Sequence, residues 1–196
     1  MDTFEYASYL RSRSLAGNLY RKYWLYPRLT KFLKGCTLDV GCGIGDMLGF
    51  RPNTVGVDIN PHNVAFCKEL GHDAHVMLPD LLHFRDTSFD AVLLDNVLEH
   101  IAEPTPLLAE IRRVLRPKGV VVVGVPGLRG QASDSDHKVF YDEAVLASTA
   151  GRNGFEVVNV FHMPFVRSSF LNRHLRQYCI YSVWQSLAAK PAPADT

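Results

Sequence analysis

The chain has 196 residues, 47% of them hydrophobic and 21% charged, with a formal net charge of +1. That is enough apolar material for one α/β domain with a packed core, and too little length for two. No apolar run is long enough for a membrane-spanning helix: the longest, Val120 to Val125, is far shorter than the roughly 20 residues a bilayer span needs.

Residues 1–34 are predicted to form an N-terminal helical cap. Tyr6, Tyr9, Tyr20, Tyr23, Trp24 and Tyr26 recur at spacings that suit one or two amphipathic helices. The opening Met-Asp-Thr-Phe-Glu is acidic and lacks the apolar core of a secretory leader. The expected location is cytoplasmic, with peripheral membrane contact left open. From Tyr6 to Leu38 the chain carries Arg11, Arg13, Arg21, Lys22, Arg28, Lys31 and Lys34 and no acid; Val157 to Ala194 has Arg167, Arg173, Arg176 and Lys190 and again no acid. Basic ends of this kind fit solvated helix faces equally well as attraction of an anionic substrate, a lipid headgroup or nucleic acid.

Residues 35–187 read as the α/β domain. Strands are predicted at Thr37-Leu38-Asp39-Val40, Thr54 to Asp58, Ala91 to Leu94 and Val120 to Val123; the last two are apolar enough to be buried on both sheet faces. A helix is predicted from Thr105 to Leu115, where Leu107, Leu108, Ile111 and Leu115 share a face and Pro117-Lys118-Gly119 ends the run. A further helix at about Tyr141 to Ala150 precedes strands at Phe155 to Phe161 and Tyr178 to Trp184, and residues 188–196 are expected to be a disordered tail. Strands alternating with helices predict a doubly wound, parallel, Rossmann-like sheet. Cys36, Cys42, Cys67 and Cys179 form no Cys-x-x-Cys pair, so reduced thiols and no metal site are expected.

The sharpest local signal is Asp39-Val40-Gly41-Cys42-Gly43-Ile44-Gly45-Asp46, directly after the first strand. A dinucleotide fingerprint, Gly-x-Gly-x-x-Gly, puts its third glycine where this chain has Asp46. A pyrophosphate beside that carboxylate would be repelled, so the loop favours a nucleoside ligand without phosphates. Asp58, closing the second strand, is placed to accept hydrogen bonds from ribose hydroxyls, or else is a turn residue before Asn60-Pro61.

With LDVGCGIGD, VGVDIN, LHFRDTSFDAVLLDNVLEHI, LRPKGVVVVGVP and HKVFYDEAVLASTAGRNGFEVV in this order, the chain resembles the class I S-adenosylmethionine-dependent methyltransferases from about Cys36 to Phe161. The resemblance implies about seven strands with the last antiparallel. It implies S-adenosylmethionine as cofactor, cradled by Gly41, Gly43 and Gly45 with Cys42 between them. Asp39 would lie beneath its amino acid end, Asp58 would hold the ribose, Ile59 would pack on adenine, and Asp95 and Asn96 would approach the methionine portion. Where family members often have an acid facing the adenine amino group, this chain has Leu78-Pro79, which leaves that contact to backbone groups or to Asp80.

His137, in the polar loop SDSDHKVFY, and His100 are the candidate bases for an acceptor hydroxyl. The plainer alternative for His100 is a histidine that caps or packs the following helix. Tyr141 is a candidate pocket-lining residue, or a helix-start aromatic packed on the sheet. The expected acceptor is a small, anionic sugar, polyketide or lipid intermediate, and the expected assembly a monomer or homodimer. RNA methylation is the weaker alternative, because a nucleic-acid module normally shows a denser basic face. A non-catalytic scaffold is disfavoured by the intact glycine loop and Asp58.

Overall fold

The computed structural model describes residues 14–187. Tyr6, Tyr9, the first basic residues of the cap and the tail at 188–196 lie outside them.

The cap begins with α1 (Leu15–Tyr20), whose N-terminus is closed by the Ser14 hydroxyl accepting from Gly17 N at 3.2 Å. A π-helical turn, Arg21–Leu25, leads into α2 (Tyr26–Leu29). Pro27 sits in the first turn of α2, where its missing N–H breaks the ladder least.

The domain then alternates strand and helix. β1 (Thr37–Val40), α3 (Asp46–Phe50), β2 (Thr54–Asp58), α4 (Pro61–Glu69) and β3 (Ala74–Val76) form the first half. β4 (Phe89–Asp95), α5 (Thr105–Val114), β5 (Leu115–Pro126), α6 (Leu128–Gln131), α7 (Glu143–Arg152), β6 (Phe155–Met163), α8 (Ser169–His174) and β7 (Cys179–Ser186) complete it. The seven strands lie in the order β3-β2-β1-β4-β5-β7-β6. All neighbours are parallel except β7, which runs antiparallel to both β5 and β6. The doubly wound, seven-stranded fold with its last strand reversed is therefore as expected from the sequence.

Alternation along each central strand fills two cores. Val92 and Leu94 of β4, Val121 and Val123 of β5, and Ile180 and Trp184 of β7 face the helices α5 and α7, meeting Leu107, Ile111 and Leu146. Ala91 and Leu93, Val122, and Tyr181 and Val183 face the opposite way, onto Leu25, Tyr26, Leu29 and Leu33 of the cap segment. The cap thus closes one sheet face, which otherwise would stay wet.

The structure departs from the sequence reading in α6 and α8, two short helices that it did not place, and in three further features. β3 is a three-residue strand with one buried position, too short to show a period. α4 buries only Asn63, Val64 and Cys67, so its apolar stripe is too thin to announce a helix. Pro117-Lys118-Gly119 lies inside β5 rather than between elements: α5 already stops at Val114, and the triplet is absorbed where the β4–β5 register shifts, with Lys118 at φ 63°.

No helix among the described residues is long and apolar enough to cross a membrane. Trp184, with no exposed surface, packs against Phe155 at 5.9 Å between ring centroids. Trp184→Ala is expected to cost about 3–5 kcal/mol in urea denaturation; a loss below about 1 kcal/mol would show that this core collapses around the cavity.

Candidate active site

The strand order reverses between β1 and β4, and at such a switch point the carboxyl ends of the strands open a crevice. The glycine loop fills its floor. Gly41 (φ 74°) and Gly45 (φ 82°) occupy left-handed backbone, and a Cβ on Gly41 would stand 2.6 Å from Val97 Cγ2. A side chain is excluded there on both counts.

Asp58 organises this floor. Its Oδ2 accepts from Gly43 N at 2.8 Å and from Asn63 Nδ2 at 3.3 Å, and its Oδ1 accepts from Asn60 N at 2.7 Å. Three of the roughly four lone-pair positions of the carboxylate are thus filled from within the chain, leaving room for one further donor. Burial pushes the Asp58 carboxyl above its ordinary range, while the three hydrogen bonds pull it back. The side chains of Ile59 and Leu78 stand exposed in succession beyond the β2 and β3 ends, apolar surfaces without cover.

Asp39, on β1, is buried among other acids. Burial first, and then the charges of Asp95, Asp58, Cys67 and Asp46, hold its carboxyl well above the usual carboxylate range. Asp95 ends β4, where its Oδ1 accepts from Tyr181 Oη at 2.7 Å and from Asn96 Nδ2 at 3.1 Å, and its Oδ2 lies 3.8 Å from the Arg21 guanidinium. Tyr181 reaches Asp95 only because Gly124 has no Cβ, which would strike both. Asn96 takes φ 59° and donates its N–H to Gly124 O at 2.9 Å. Arg21 also lines a cleft of about 420 Å³ between the cap and α3, with Asn18, Lys22, Tyr26, Asp46 and Phe50.

The structure brings His100 and His137 together, with 4.7 Å between ring centroids. His137 Nδ1 lies 3.1 Å from Gln131 O, and its Nε2 lies 4.0 Å from Glu99 Oε1. Burial pushes Glu99 up to about 8. Burial and the neighbouring His137 hold His100 below its ordinary value. Tyr141 is buried in the core beside Leu146 and Glu99, rather than on an open wall. Cys42 is buried beneath the loop, and all four cysteines are free thiols.

Sequence reasoning did not single out Glu99, Arg21 or Tyr181. Only the pairing of Glu99 with His100 in one short segment was a readable signal. Arg21 and Tyr181 meet Asp95 from opposite ends of the chain.

A doubly wound sheet with one antiparallel strand, a glycine loop after β1 and acids at the strand ends make up a Rossmann-like α/β fold. Comparison supports the same class. A sequence profile described as a methyltransferase domain matches residues 38–123. A probable S-adenosylmethionine-dependent methyltransferase of Mycolicibacterium smegmatis is 28% identical over 176 residues, covering 76% of this chain and 67% of that protein. An uncharacterized protein of Methanocaldococcus jannaschii is 32% identical over 139 residues, 66% of this chain and 60% of that one. The solved S-adenosylmethionine-dependent methyltransferase of Archaeoglobus fulgidus superposes with a TM-score of 0.69 at 18% identity, over 93% of this chain and 99% of that one. Residues 38–123 thus match a methyltransferase domain, and the fold is the one that solved S-adenosylmethionine-dependent methyltransferases share. It spans about half the length of the curated relatives it matches, from 29% to 67%.

The raised carboxyl of Asp39 gives the charge of this crevice a pH dependence of definite sign, and the expectation from the sequence that Asp39 lies beneath S-adenosylmethionine can be tested through it. A cationic sulfonium is favoured by ionised carboxylates, so acidification should weaken S-adenosylmethionine binding at higher pH than an ordinary exposed Asp of about 3.9 would allow. S-adenosylhomocysteine, which lacks the sulfonium charge, should lose less. Parallel titrations across pH check this, and equal slopes for the two ligands would refute it; Asp39→Asn should flatten the difference.

Proposed function

We propose that this chain transfers the methyl group of S-adenosylmethionine to a small, anionic acceptor. The observation that carries the cofactor side is the set of three carboxylates, Asp39, Asp58 and Asp95, at or near the carboxyl ends of β1, β2 and β4 around a glycine loop. Such a crevice repels phosphates and suits a ligand with an ammonium and a sulfonium. In this reading Gly41, Cys42, Gly43 and Gly45 hold the ligand against the main chain, and Asp39 and Asp95 attract its positive groups. Asp58 binds one ribose hydroxyl, the one position its internal partners leave. Ile59 and Leu78 cover the adenine.

Methyl transfer from a sulfonium is an in-line displacement: the acceptor atom forms a bond to the methyl carbon as the carbon–sulfur bond breaks and the electron pair returns to sulfur. Alignment of the three atoms supplies about 7–11 kcal/mol of barrier lowering. The acceptor is read as a sugar, polyketide or lipid intermediate carrying a carboxylate or phosphate. Arg21 and Lys22 on the cap wall support the anionic character; in this reading the loop at 127–141, which carries His137, and the segment after β4, which carries His100 against it, supply the remaining wall.

The primary experiment is calorimetric titration with S-adenosylmethionine, S-adenosylhomocysteine and NAD in parallel. Binding of the first two and not of NAD is expected, and binding of NAD alone would overturn the reading. Asp58→Asn should weaken S-adenosylhomocysteine by roughly 10- to 100-fold, the worth of charged hydrogen bonds at about 1.5–3 kcal/mol. For the acceptor side, His137→Ala should lower turnover while leaving cofactor affinity nearly unchanged; undiminished turnover would remove His137 from the acceptor site.

A further inference from the structure

The segment after β4 and the loop after β5 hold three side chains that the cofactor does not need. Glu99 is fully buried, yet neither of its carboxylate oxygens has a hydrogen-bond partner. Native interiors rarely leave such a group bare, because a buried carboxylate without donors has lost its water and gained nothing. Two imidazoles are among the residues that face it, with Tyr141, Asp95 and Asp134 in its surroundings.

His137 is oriented from behind. Its Nδ1 lies 3.1 Å from the main-chain carbonyl of Gln131, which only accepts, so in the neutral ring Nδ1 carries the proton and Nε2 presents a lone pair. That lone pair faces Glu99 Oε1 at 4.0 Å and Asp134 Oδ2 at 3.9 Å. Tethering one ring N–H to a backbone carbonyl, which leaves the other nitrogen's lone pair to bind, is the arrangement that fixes a metal-binding histidine. His100 packs edge-on against His137 and rests on the main chain of Asp136. One ligand atom from each of Glu99, His100 and His137 lies within 4.8 Å of the other two.

Backbone pairing builds this cluster. Glu99 O accepts from Lys138 N at 2.7 Å and from Val139 N at 3.1 Å, so the loop after β5 is stitched onto the segment after β4. His137, next to the stitch, is delivered to residues far from it in sequence.

We propose that Glu99, His100 and His137 bind one divalent transition-metal ion. Two imidazoles and one carboxylate suit zinc, cobalt or ferrous iron, whereas magnesium and calcium prefer all-oxygen sites. Bonds of about 2.0–2.2 Å place ligand atoms roughly 3–3.5 Å apart, so side-chain rotations of about 1 Å close the site. The ion fills the gap between carboxylate and lone pair and neutralises the buried Glu99. Three protein ligands leave coordination positions open to water or to an oxygen of a bound molecule, with Asp134 at the mouth. That the oxygen comes from the methyl acceptor rests on the methyltransferase reading; binding of the ion does not. The proposal departs from the sequence expectation of no metal site, which weighed only cysteine spacings.

The test uses metal-stripped, full-length protein without cofactor, titrated with CoCl2 and followed by visible absorption. Expected are d–d bands that saturate at one equivalent and are displaced by Zn²⁺. Glu99→Gln, His100→Ala and His137→Ala should each weaken Co²⁺ by more than the roughly 10- to 100-fold that loss of an outer-shell partner costs. A cooperative thermal melt of each metal-free variant shows that its fold is intact, and His100→Ala, at the half-buried ligand, serves if Glu99→Gln fails to fold. Absence of the bands, or Co²⁺ affinity unchanged in folded variants, would overturn the proposal, as would a thiolate charge-transfer band locating the ion at a cysteine. Cofactor titration is read separately, so failure of the metal site and failure of the methyltransferase reading are distinguishable.

Discussion

The crevice depends on the carboxylate of Asp58. By accepting from Gly43 N and Asn60 N at once, it ties the glycine loop after β1 to the turn before α4. Positive φ at Gly41 and Gly45 lets the chain make this loop; the carboxylate decides that it stays in one conformation. Charge-assisted hydrogen bonds to main-chain donors are short and strong for their size, and they cost no side-chain entropy on the donor side. The same group therefore serves the fold before it serves a ligand, and its internal commitments set how much of it a ligand can claim.

Around this point the acids and bases are segregated by element. Acids come from the sheet: Asp39 on β1, Asp58 on β2 and Asp95 on β4. Cations come from the cap, where Arg21 reaches to 3.8 Å from Asp95. Tyr181 holds the other side of Asp95, and burial, with Asp95 beside it, keeps that hydroxyl protonated as a donor. The cap is thus a packing element through Leu25 and Leu29 and an electrostatic wall through Arg21, two uses of one helical segment at the spacing of its turns.

Much of this was legible in the sequence. Val92, Leu94, Val121 and Val123 lie in runs apolar enough to demand burial on both faces, and the glycine loop with Asp58 marks the binding edge before any coordinate is known. β3 and α4 escaped because each buries too few side chains to impose a period. The environment of Glu99 escaped for a different reason. A lone acid in a polar segment reads as solvated, and only tertiary pairing of Glu99 with Lys138 and Val139 reveals that it is sealed beside two histidines. Local pattern reports the period of an element; it does not report which loops meet.

That pairing runs through main-chain atoms alone. Exchange of the side chains at 138 and 139 for other non-proline residues leaves the donors in place, and exchange at 99 leaves the acceptor. The exposed side chains at 128, 129, 132, 135 and 136 are therefore open to change in size and charge while the imidazole of His137 keeps its position, whereas Gly127 and Gly130, buried against Asn172 and the main chain of Arg176, are not. A loop held in this way can drift in the chemistry of its surface during evolution while the main-chain pairing beside His137 stays constant.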